Sequence, residues 1–482
     1  MRSLRITVVA ALALGGLFAC GDDAAPAVAP DAPTVTLLIC DEAALANSLA
    51  AVPGVSNVES KPCRGSARCF EFDFQQPVQH DTVSPTFLQH INLTHRGCDQ
   101  PVVVADWGYD SFGFYESEVS SDYGANSMSV EHRFQGTSVP APAQWDWTAL
   151  TIRNAAQDLH AVISTFRRFY RQHWVSTGAS KGGVTALYHR YFFPNDVDGT
   201  VAYVAPASRA RSDEGYQAYM KRVLPADCAQ RMRDFQAATL TTRRDMLLRV
   251  LGSGFSIGDL ENEMVYWDWS FWQYDGIAGC GLIPTAASTD QEFADYALAD
   301  LLAPPPATLA PQMPDPRSYG ALSYEWLTEQ GFASQVNDTV TPLLSGPSPS
   351  LESYFVAYFG DVALPAYNGT LTAYVRNYAL INADHLVLVY GQNDPWSGGA
   401  FDEPQAPASG RFFVANGNHG AEISMLPTTE RARARDLVAE MLGKPRLRGV
   451  LREAATPPSP IFAAIAAREA AMQRRMLVPL TR

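Results

Sequence analysis

The chain has 482 residues, of which 47% are hydrophobic and 18% are charged, and its formal net charge is -14. This composition excludes a disordered or coiled-coil protein, and the acidic surface disfavours nucleic acid and anionic lipid as partners. Because the chain is too long for one compact core of ordinary size, we expect one large domain with a sizeable insertion.

The N-terminal segment is typical of an exported protein. A short basic region precedes the apolar stretch Ile6–Phe18, which has the length of a signal-peptide core and is too short to span a bilayer as a permanent helix. The stretch ends in Leu-Phe-Ala-Cys, which resembles a bacterial lipobox with Cys20 as the lipidated residue. We therefore predict a signal peptide over 1–20 and a flexible tether over 21–34. The alternative is an ordinary signal peptide in which Cys20 has no role.

The cysteine count also favours export. Six cysteines follow Cys20, and an even number in an oxidising compartment indicates disulfide bonds. We expect Cys228 to pair with Cys280, because the other four lie together near the N-terminus, where the sequence leaves their pairing open. The spacings match no zinc site, and we expect neither a metal nor an organic cofactor.

The first part of the chain is rich in predicted strands. In residues 68–76, three phenylalanines alternate with polar residues, which predicts a half-buried strand. Residues 88–94 and 127–133 are further strand candidates. Residues 101–105, with the sequence PVVVA, are apolar throughout, as expected of a strand buried on both faces.

The middle of the chain alternates between helix and strand. Apolar residues recur at helical spacing in 148–169, a strand is predicted at 173–177, and a helix follows over 181–193 and ends at Pro194. A buried strand at 201–205 comes next. This alternation predicts a parallel sheet.

The alternation is interrupted over 208–343, which is rich in helix formers and aromatic residues. We predict a mostly helical cap inserted between two parts of the sheet domain, 35–207 and 344–445. The second part contains strand candidates at 385–390 and 411–415 and a helix candidate at 429–442. In the C-terminal tail, 446–482, we interpret the amphipathic stretch Ile461–Met472 as a docked surface helix.

A candidate nucleophile lies between a predicted strand and a predicted amphipathic helix. The segment Gly178–Gly182 matches G-x-S-x-G, the nucleophile elbow of the α/β-hydrolase fold, in which small neighbours let the helix pack on the strand. We predict Ser180 as the nucleophile, and the N–H groups of Lys181 and Tyr109 as the oxyanion donors. The alternatives are a glycine-rich strand-to-helix loop with a phosphate-binding or purely structural role and, at Gly108, a simple turn.

The remaining members of a catalytic triad follow from chain order, which is serine, acid, histidine in this fold. Beyond the cap, His419 lies in a loop directly after a predicted strand, whereas His385 opens a strand. Asp394 follows the strand candidate at 385–390, and its rivals Asp384 and Asp402 lie before that strand and well past its end. We predict that Asp394 orients His419. The alternatives are a surface histidine and a turn aspartate.

The chain resembles the secreted prolyl tri/tetrapeptidyl aminopeptidases of the actinomycete type, and is more distantly similar to prolyl carboxypeptidase and dipeptidyl peptidase relatives. The resemblance implies an α/β-hydrolase fold with a mostly parallel sheet and an inserted helical cap, a triad of Ser180, Asp394 and His419, and cleavage from a free N-terminus, often after proline. The chain departs from the family at Trp107, where an acidic residue is usual. Six segments between about residues 65 and 445 carry the resemblance: 130–140, 177–186, 198–206, 270–274, 391–399 and 416–420.

Two residues are candidates for substrate binding. Glu131 is a candidate ligand for a substrate ammonium, with an ion pair to Arg133 or another buried arginine as the alternative. Trp272, in the aromatic part of the cap, is a candidate for the proline pocket, with the cap core as the alternative. An esterase or lipase, and a non-catalytic binding protein of this fold, are the competing functions.

Overall fold

A computed structural model describes residues 38–63, 65–252, 256–301, 316–334, 336–348, 350–359 and 362–445. The predicted signal peptide with Cys20, the tether and the C-terminal tail lie outside the described residues. In the ranges that are described, no helix has the length and apolar character needed to cross a membrane.

Within the described residues, nine strands form one sheet in the order β1-β2-β3-β5-β4-β6-β7-β10-β11, and β8 pairs separately with β9. Strands β1, β2, β3 and β5 pair antiparallel, whereas the pairs from β5 to β11 are all parallel. The strands are β1 (Val55–Lys61), β2 (Arg68–Pro77), β3 (Thr86–His95), β4 (Val102–Asp106), β5 (Asn126–Val130), β6 (Trp174–Ala179), β7 (Gly199–Tyr203), β8 (Ser212–Asp213), β9 (Phe332–Ala333), β10 (Leu386–Gly391) and β11 (Gly410–Val414).

Helices cover the parallel part of the sheet and fill the segment between β7 and β10. They are α1 (Leu45–Ala50), α2 (Glu118–Ser121), α3 (Ile152–Phe166), α4 (Lys181–Phe192), α5 (Gly215–Val223), α6 (Ala226–Leu240), α7 (Arg244–Leu251), α8 (Ile257–Tyr274), α9 (Gly276–Gly279), α10 (Asp290–Leu301), α11 (Pro316–Glu325), α12 (Leu351–Phe359), α13 (Thr370–Ile381) and α14 (Thr428–Met441). A π-helix, Trp326–Gln330, continues α11.

The predicted α/β-hydrolase fold is confirmed, and most predicted strands and helices are present within a few residues of their expected ends. The edge strand β1 was missed because its positions are mostly exposed or half-buried and do not alternate. Helix α4 is also not amphipathic as predicted. Residues 181–190 are all buried, because α3 and α13 pack on the side of α4 that faces away from the sheet.

Three disulfide bonds close the structure: Cys40–Cys98, Cys63–Cys69 and Cys228–Cys280. The third confirms the pairing expected from sequence and joins α6 to the turn after α9 in the helical segment. Disulfide bonds persist in oxidising compartments and are rare in the cytosol. The three bonds therefore indicate an oxidising compartment for this chain.

Candidate active site

Ser180 lies in a strained turn between β6 and α4, with φ 55 and ψ -126, a backbone conformation that non-glycine residues seldom adopt. Its N–H donates to the carbonyl of Tyr203 on β7 at 2.9 Å. The surroundings leave no space for larger neighbours, since a Cβ on Gly178 would lie 2.3 Å from the carbonyl oxygen of Gly182. The turn thus holds the serine at the carboxyl edge of the sheet.

Asp394 and His419 are in direct contact at the same edge. Nδ1 of His419 lies 2.8 Å from Oδ2 of Asp394, and both side chains are buried. Asp394 follows β10 and His419 follows β11, while Ser180 follows β6. Because these strands run parallel in the order β6-β7-β10-β11, their carboxyl ends bring the three residues to one edge of the sheet.

The rival residues lie elsewhere. Asp384 is mostly exposed and lies 3.4 Å from His385, and Asp402 is exposed beside Arg376. Neither carboxylate can orient a buried imidazole. The geometry therefore favours Asp394 as the partner of His419.

The loop after β4 lies directly against the start of α4. Gly108 has φ 77, and a Cβ there would lie 2.7 Å from Cγ of Lys181. Asp106 fixes the loop by accepting the N–H of Gly108 at 2.8 Å. Tyr109 is buried, and its carbonyl accepts the N–H of His132 at 3.0 Å. The structure thus places the two predicted oxyanion donors, Lys181 and Tyr109, on adjoining segments beside the elbow.

Trp107 is a core residue of this loop. Its side chain is buried, its Nε1–H donates to Oγ of Ser129 at 3.1 Å, and its ring meets Phe112 edge to face. At this position the loop therefore presents a packed aromatic ring and not a charge.

A buried chain of charged groups lies behind the oxyanion loop. Nζ of Lys181 is 2.8 Å from Oε2 of Glu325, Oε1 of Glu325 is 3.3 Å from Nε2 of His132, and Nδ1 of His132 is 2.9 Å from Asp106. All four side chains are almost fully buried. The network links Lys181, which follows Ser180, to Asp106, which fixes the loop after β4.

The charges of this network set its pKa values. Burial by itself lowers the pKa of His132, but the carboxylates of Asp106 and Glu325 outweigh burial and raise that pKa. Burial by itself raises the pKa of Glu325, but Lys181 and His132 lower it to about 2. Sequence reasoning missed Glu325 and His132. The available signal was Lys181 itself, because a lysine in a buried turn requires a carboxylate partner.

A second buried acid, Glu118, positions the segment that follows His419. Its carboxylate accepts the N–H groups of Ile423 and Ser424 and the hydroxyl of Tyr203. Burial raises the pKa of Glu118. No local pattern predicted this role, since Glu118 and Ile423 lie 305 positions apart.

Two helices of the predicted cap rest on the catalytic loops. The carbonyl of Gln273, near the end of α8, accepts the N–H of His419 at 3.0 Å. On α5, the hydroxyl of Tyr219 donates to the carbonyl of Gln392 at 2.8 Å, in the loop that leads to Asp394. Both helices therefore bind the loops that hold Asp394 and His419.

An aromatic cluster fills the space between the cap and these loops. The ring of Trp396 lies 5.0 Å from that of Trp269, 5.7 Å from that of Tyr216 and 6.4 Å from that of His419, centroid to centroid. This cluster lies between His419 and the helices of the predicted cap.

Glu131 has structural partners in place of the expected ones. Its carboxylate accepts the N–H of Ser111 and the N–H and hydroxyl groups of Thr137 and Ser138. Arg133, the proposed ion-pair partner, instead binds Asp158, with 2.6 Å between Nε and Oδ2. Since an ionised carboxylate has about four acceptor sites, Glu131 has little capacity left for a substrate ammonium.

Trp272 has no exposed surface and meets Phe271 edge to face. It packs in the hydrophobic cluster of the cap and also lines a cavity there. The structure is thus compatible both with the cap core and with a place in the wall of a pocket.

Known proteins resemble this chain in sequence and in structure. A family model described as PS-10 peptidase S37 matches residues 41–304. The prolyl tri/tetrapeptidyl aminopeptidase of Streptomyces mobaraensis is 31% identical over 461 residues, which cover 92% of each chain. The thymus-specific serine protease of Mus musculus is 30% identical over 168 residues, which cover 31% of this chain and 33% of that protein. Among solved structures, the proline iminopeptidase of Mycobacterium smegmatis matches with 15% identity and a TM-score of 0.34, over 80% of this chain and 99% of that chain.

Proposed function

Because this chain belongs to the PS-10 peptidase S37 family of serine peptidases, we propose that it is an exported aminopeptidase that releases tri- and tetrapeptides from free N-termini. We further propose that proline is preferred before the scissile bond, as the name of the Streptomyces mobaraensis relative suggests. The observation that carries the proposal is the buried contact of 2.8 Å between Asp394 and His419 beneath the cap, at the sheet edge that holds Ser180.

In the proposed mechanism, Oγ of Ser180 attacks the scissile carbonyl carbon while Nε2 of His419 takes its proton. Asp394 holds the imidazole and stabilises the imidazolium. The N–H groups of Lys181 and Tyr109 stabilise the oxyanion. His419 then protonates the departing amine of the remaining peptide. Water, deprotonated by His419, hydrolyses the ester on Ser180 and releases the N-terminal tri- or tetrapeptide.

The cap supports cleavage near a chain end. Gln273 of α8 and Tyr219 of α5 bind the loops of His419 and Asp394 directly, so the approach from the cap side is enclosed. An enclosed pocket admits a chain end more readily than the middle of a long peptide. This favours an exopeptidase over an endopeptidase.

The substrate proposal is tested by comparing a free-amine Ala-Ala-Pro amide with its N-acetylated form at neutral pH. We expect the free amine to be cleaved roughly ten- to hundredfold faster, because the ammonium forms a charge-assisted hydrogen bond worth about 1.5–3 kcal/mol. Equal rates would indicate an endopeptidase. Hydrolysis of butyrate esters with no cleavage of either peptide would indicate an esterase.

The nucleophile is tested with Ser180→Ala. We expect loss of turnover with an unchanged melting temperature, because the substitution removes the hydroxyl and no packing group. A fluorophosphonate probe should label the wild-type protein at Ser180. Labelling of another residue, or full activity of the variant, would contradict the assignment.

For location, we propose export with a lipid anchor on Cys20. The three disulfide bonds support an oxidising compartment, and the motif before Cys20 supports lipidation. Expression of Cys20→Ser in a bacterial host, followed by membrane fractionation, tests the anchor. We expect the variant in the soluble fraction and the wild type in the membrane fraction. A membrane-bound variant would contradict the anchor.

A further inference from the structure

The cap contains a cavity beside the helices that cover the catalytic loops. Its volume is about 350 Å³, and its walls come from α5, α6, α8 and the loop at 337–339. Asp268 and Asn337 are among the polar residues in the wall. The volume lies within the range of small-ligand pockets, so the cavity has room for one or two amino-acid residues.

Asp268 is a carboxylate in this wall with acceptor capacity to spare. Its Oδ1 accepts the N–H of Trp269 at 2.9 Å, and its Oδ2 accepts the side-chain amide of Asn337 at 3.1 Å. Within the described part of the chain, no lysine, arginine or histidine forms an ion pair with it. The amide of Asn337 is held in turn, since its Oδ1 accepts the N–H groups of Thr339 and Val340.

The other charged groups nearby are already engaged. Lys221, also in the wall, forms an ion pair with Asp338, and Arg233 binds Gln230. Burial raises the pKa of Asp268 to about 7, which reflects the cost of a carboxylate without a cation. A cationic ligand would remove that cost by pairing with the carboxylate.

The position of Asp268 matches the reach of a short peptide. Asp268 precedes Gln273 by five residues on α8, which corresponds to about 7.5 Å along the helix axis. The carbonyl of Gln273 accepts the N–H of His419. An extended tripeptide spans roughly 10 Å. A tripeptide is therefore longer than the axial separation between Asp268 and the residue of α8 that binds His419.

We propose that Asp268, oriented by Asn337, binds the α-ammonium group of the peptide substrate. The inference rests on the proposed aminopeptidase function and assigns its specificity to one carboxylate in the cap wall. The ammonium donates a charge-assisted hydrogen bond to the free acceptor sites of Asp268. An acetylated N-terminus lacks the charge and leaves the half-buried carboxylate without a cation.

The test compares Asp268→Asn with Glu261→Gln. Glu261 is a matched control on the same helix, because both of its carboxylate oxygens are bound by Ser345. For each variant and the wild type, kcat/KM is measured on free-amine and acetylated Ala-Ala-Pro amides. We expect the wild type and Glu261→Gln to prefer the free amine by roughly ten- to hundredfold, and Asp268→Asn to lose most of that preference.

The outcomes separate this subsite from the function on which it rests. If Asp268→Asn keeps the wild-type preference, the subsite is wrong while the aminopeptidase function stands. If the wild type itself cleaves both substrates equally, the aminopeptidase function is wrong, and the subsite with it.

A binding measurement covers the case in which Asp268→Asn is too slow to assay. Calorimetric titration of Ser180→Ala and of Ser180→Ala/Asp268→Asn with the free-amine peptide should show about tenfold or more weaker binding to the double variant. Circular dichroism checks that both proteins are folded. Equal affinities would overturn the proposal.

Discussion

Glu131 is a buried acid that the sequence indicated as a candidate substrate ligand, but its carboxylate already accepts hydrogen bonds from Ser111, Thr137 and Ser138. Its carboxylate fixes the turn at 134–138, where Gly136 has φ 50 and a Cβ would lie 2.1 Å from Oε1 of Glu131. Asp268, which sequence reasoning passed over, differs from Glu131: its carboxylate accepts hydrogen bonds from Trp269 and Asn337, and it forms no ion pair within the described residues. At this scale, local partners distinguish a structural acid from a binding acid.

Glu131→Gln tests this distinction. We expect the free energy of unfolding to fall by roughly 1.5–3 kcal/mol, because an amide nitrogen cannot accept the hydrogen bonds from Thr137 and Ser138. The preference for a free-amine substrate should be unchanged. Urea unfolding and the substrate pair measure the two effects, with Glu59→Gln on the exposed edge strand as a control expected to stay within about 0.5 kcal/mol. Loss of the preference in Glu131→Gln would restore Glu131 as a substrate ligand.

At the scale of elements, close backbone approach holds the active site together. The start of α4 touches both β6 and the loop after β4, and a Cβ on Gly182 would lie 2.7 Å from the Cα and carbonyl oxygen of Trp107. These are backbone atoms, which cannot rotate away as the end of a flexible side chain can. The glycines of the elbow therefore set the distance between the nucleophile and the oxyanion loop.

Gly182→Ala should lower kcat by about a hundredfold, because displacement of the loop by an ångström misplaces the oxyanion donors. Gly258→Ala is the matched control. Gly258 is likewise the second residue of its helix, and the nearest atom to its Cβ would be Oγ of Ser256 at 3.6 Å. The control should keep wild-type kcat. An unchanged kcat in Gly182→Ala would show that the loop and the helix can separate without consequence.

The disulfide Cys228–Cys280 joins two parts of the cap across 52 positions, whereas Cys63–Cys69 spans six. Loop-closure entropy predicts that replacing the first pair by alanine costs about 4 kcal/mol of unfolding free energy, and the second about 2 kcal/mol. Urea unfolding of the two double variants measures this order. The reverse order would mean that native contacts, and not loop length, determine the contribution of each bond.

Across the whole molecule, one buried charge network joins distant parts of the chain. Asp106 ends β4, His132 follows β5, Lys181 begins α4 and Glu325 ends α11. The ion pairs join these four elements. These residues are brought together by the sheet order and by the return of α11 onto it. The network can therefore form only when these distant parts of the chain have folded together.

Its pKa shifts predict a pH window of greatest stability. The raised pKa of His132 gives a contribution that is complete below its ordinary value of 6.5 and is lost as pH rises through the raised value. The lowered pKa of Glu325 gives a contribution that is complete above 4.5 and is lost as pH falls towards 2. The network should stabilise the protein most between these ordinary values.

His132→Asn isolates the histidine contribution. We expect the difference in unfolding free energy between wild type and variant to be larger near pH 5.5 than near pH 9, because the stabilisation from the imidazolium between Asp106 and Glu325 is complete below 6.5 and is lost as pH rises through the raised pKa. Urea unfolding at both values measures it. A difference that does not change with pH would mean that His132 keeps one protonation state between the two pH values and would contradict the prediction.

Features that depend on neighbouring residues could be predicted from the sequence. Strand periodicity and glycine spacing predicted the buried strands and the G-x-S-x-G turn around Ser180. Chain order then predicted the segments that hold Asp394 and His419. The Cys228–Cys280 bond could be predicted because the other four cysteines after Cys20 lie together near the N-terminus.

Contacts between side chains that are distant in the chain could be identified only from the folded structure. The partners of Glu131, the ion pair of Lys181 with Glu325, the anchoring of Ile423 by Glu118 and the uncompensated carboxylate of Asp268 all depend on contacts between distant segments. A buried polar group must find a partner, but its sequence neighbours do not say which one. Periodicity gives the face of an element, and only the packing of elements gives the contact.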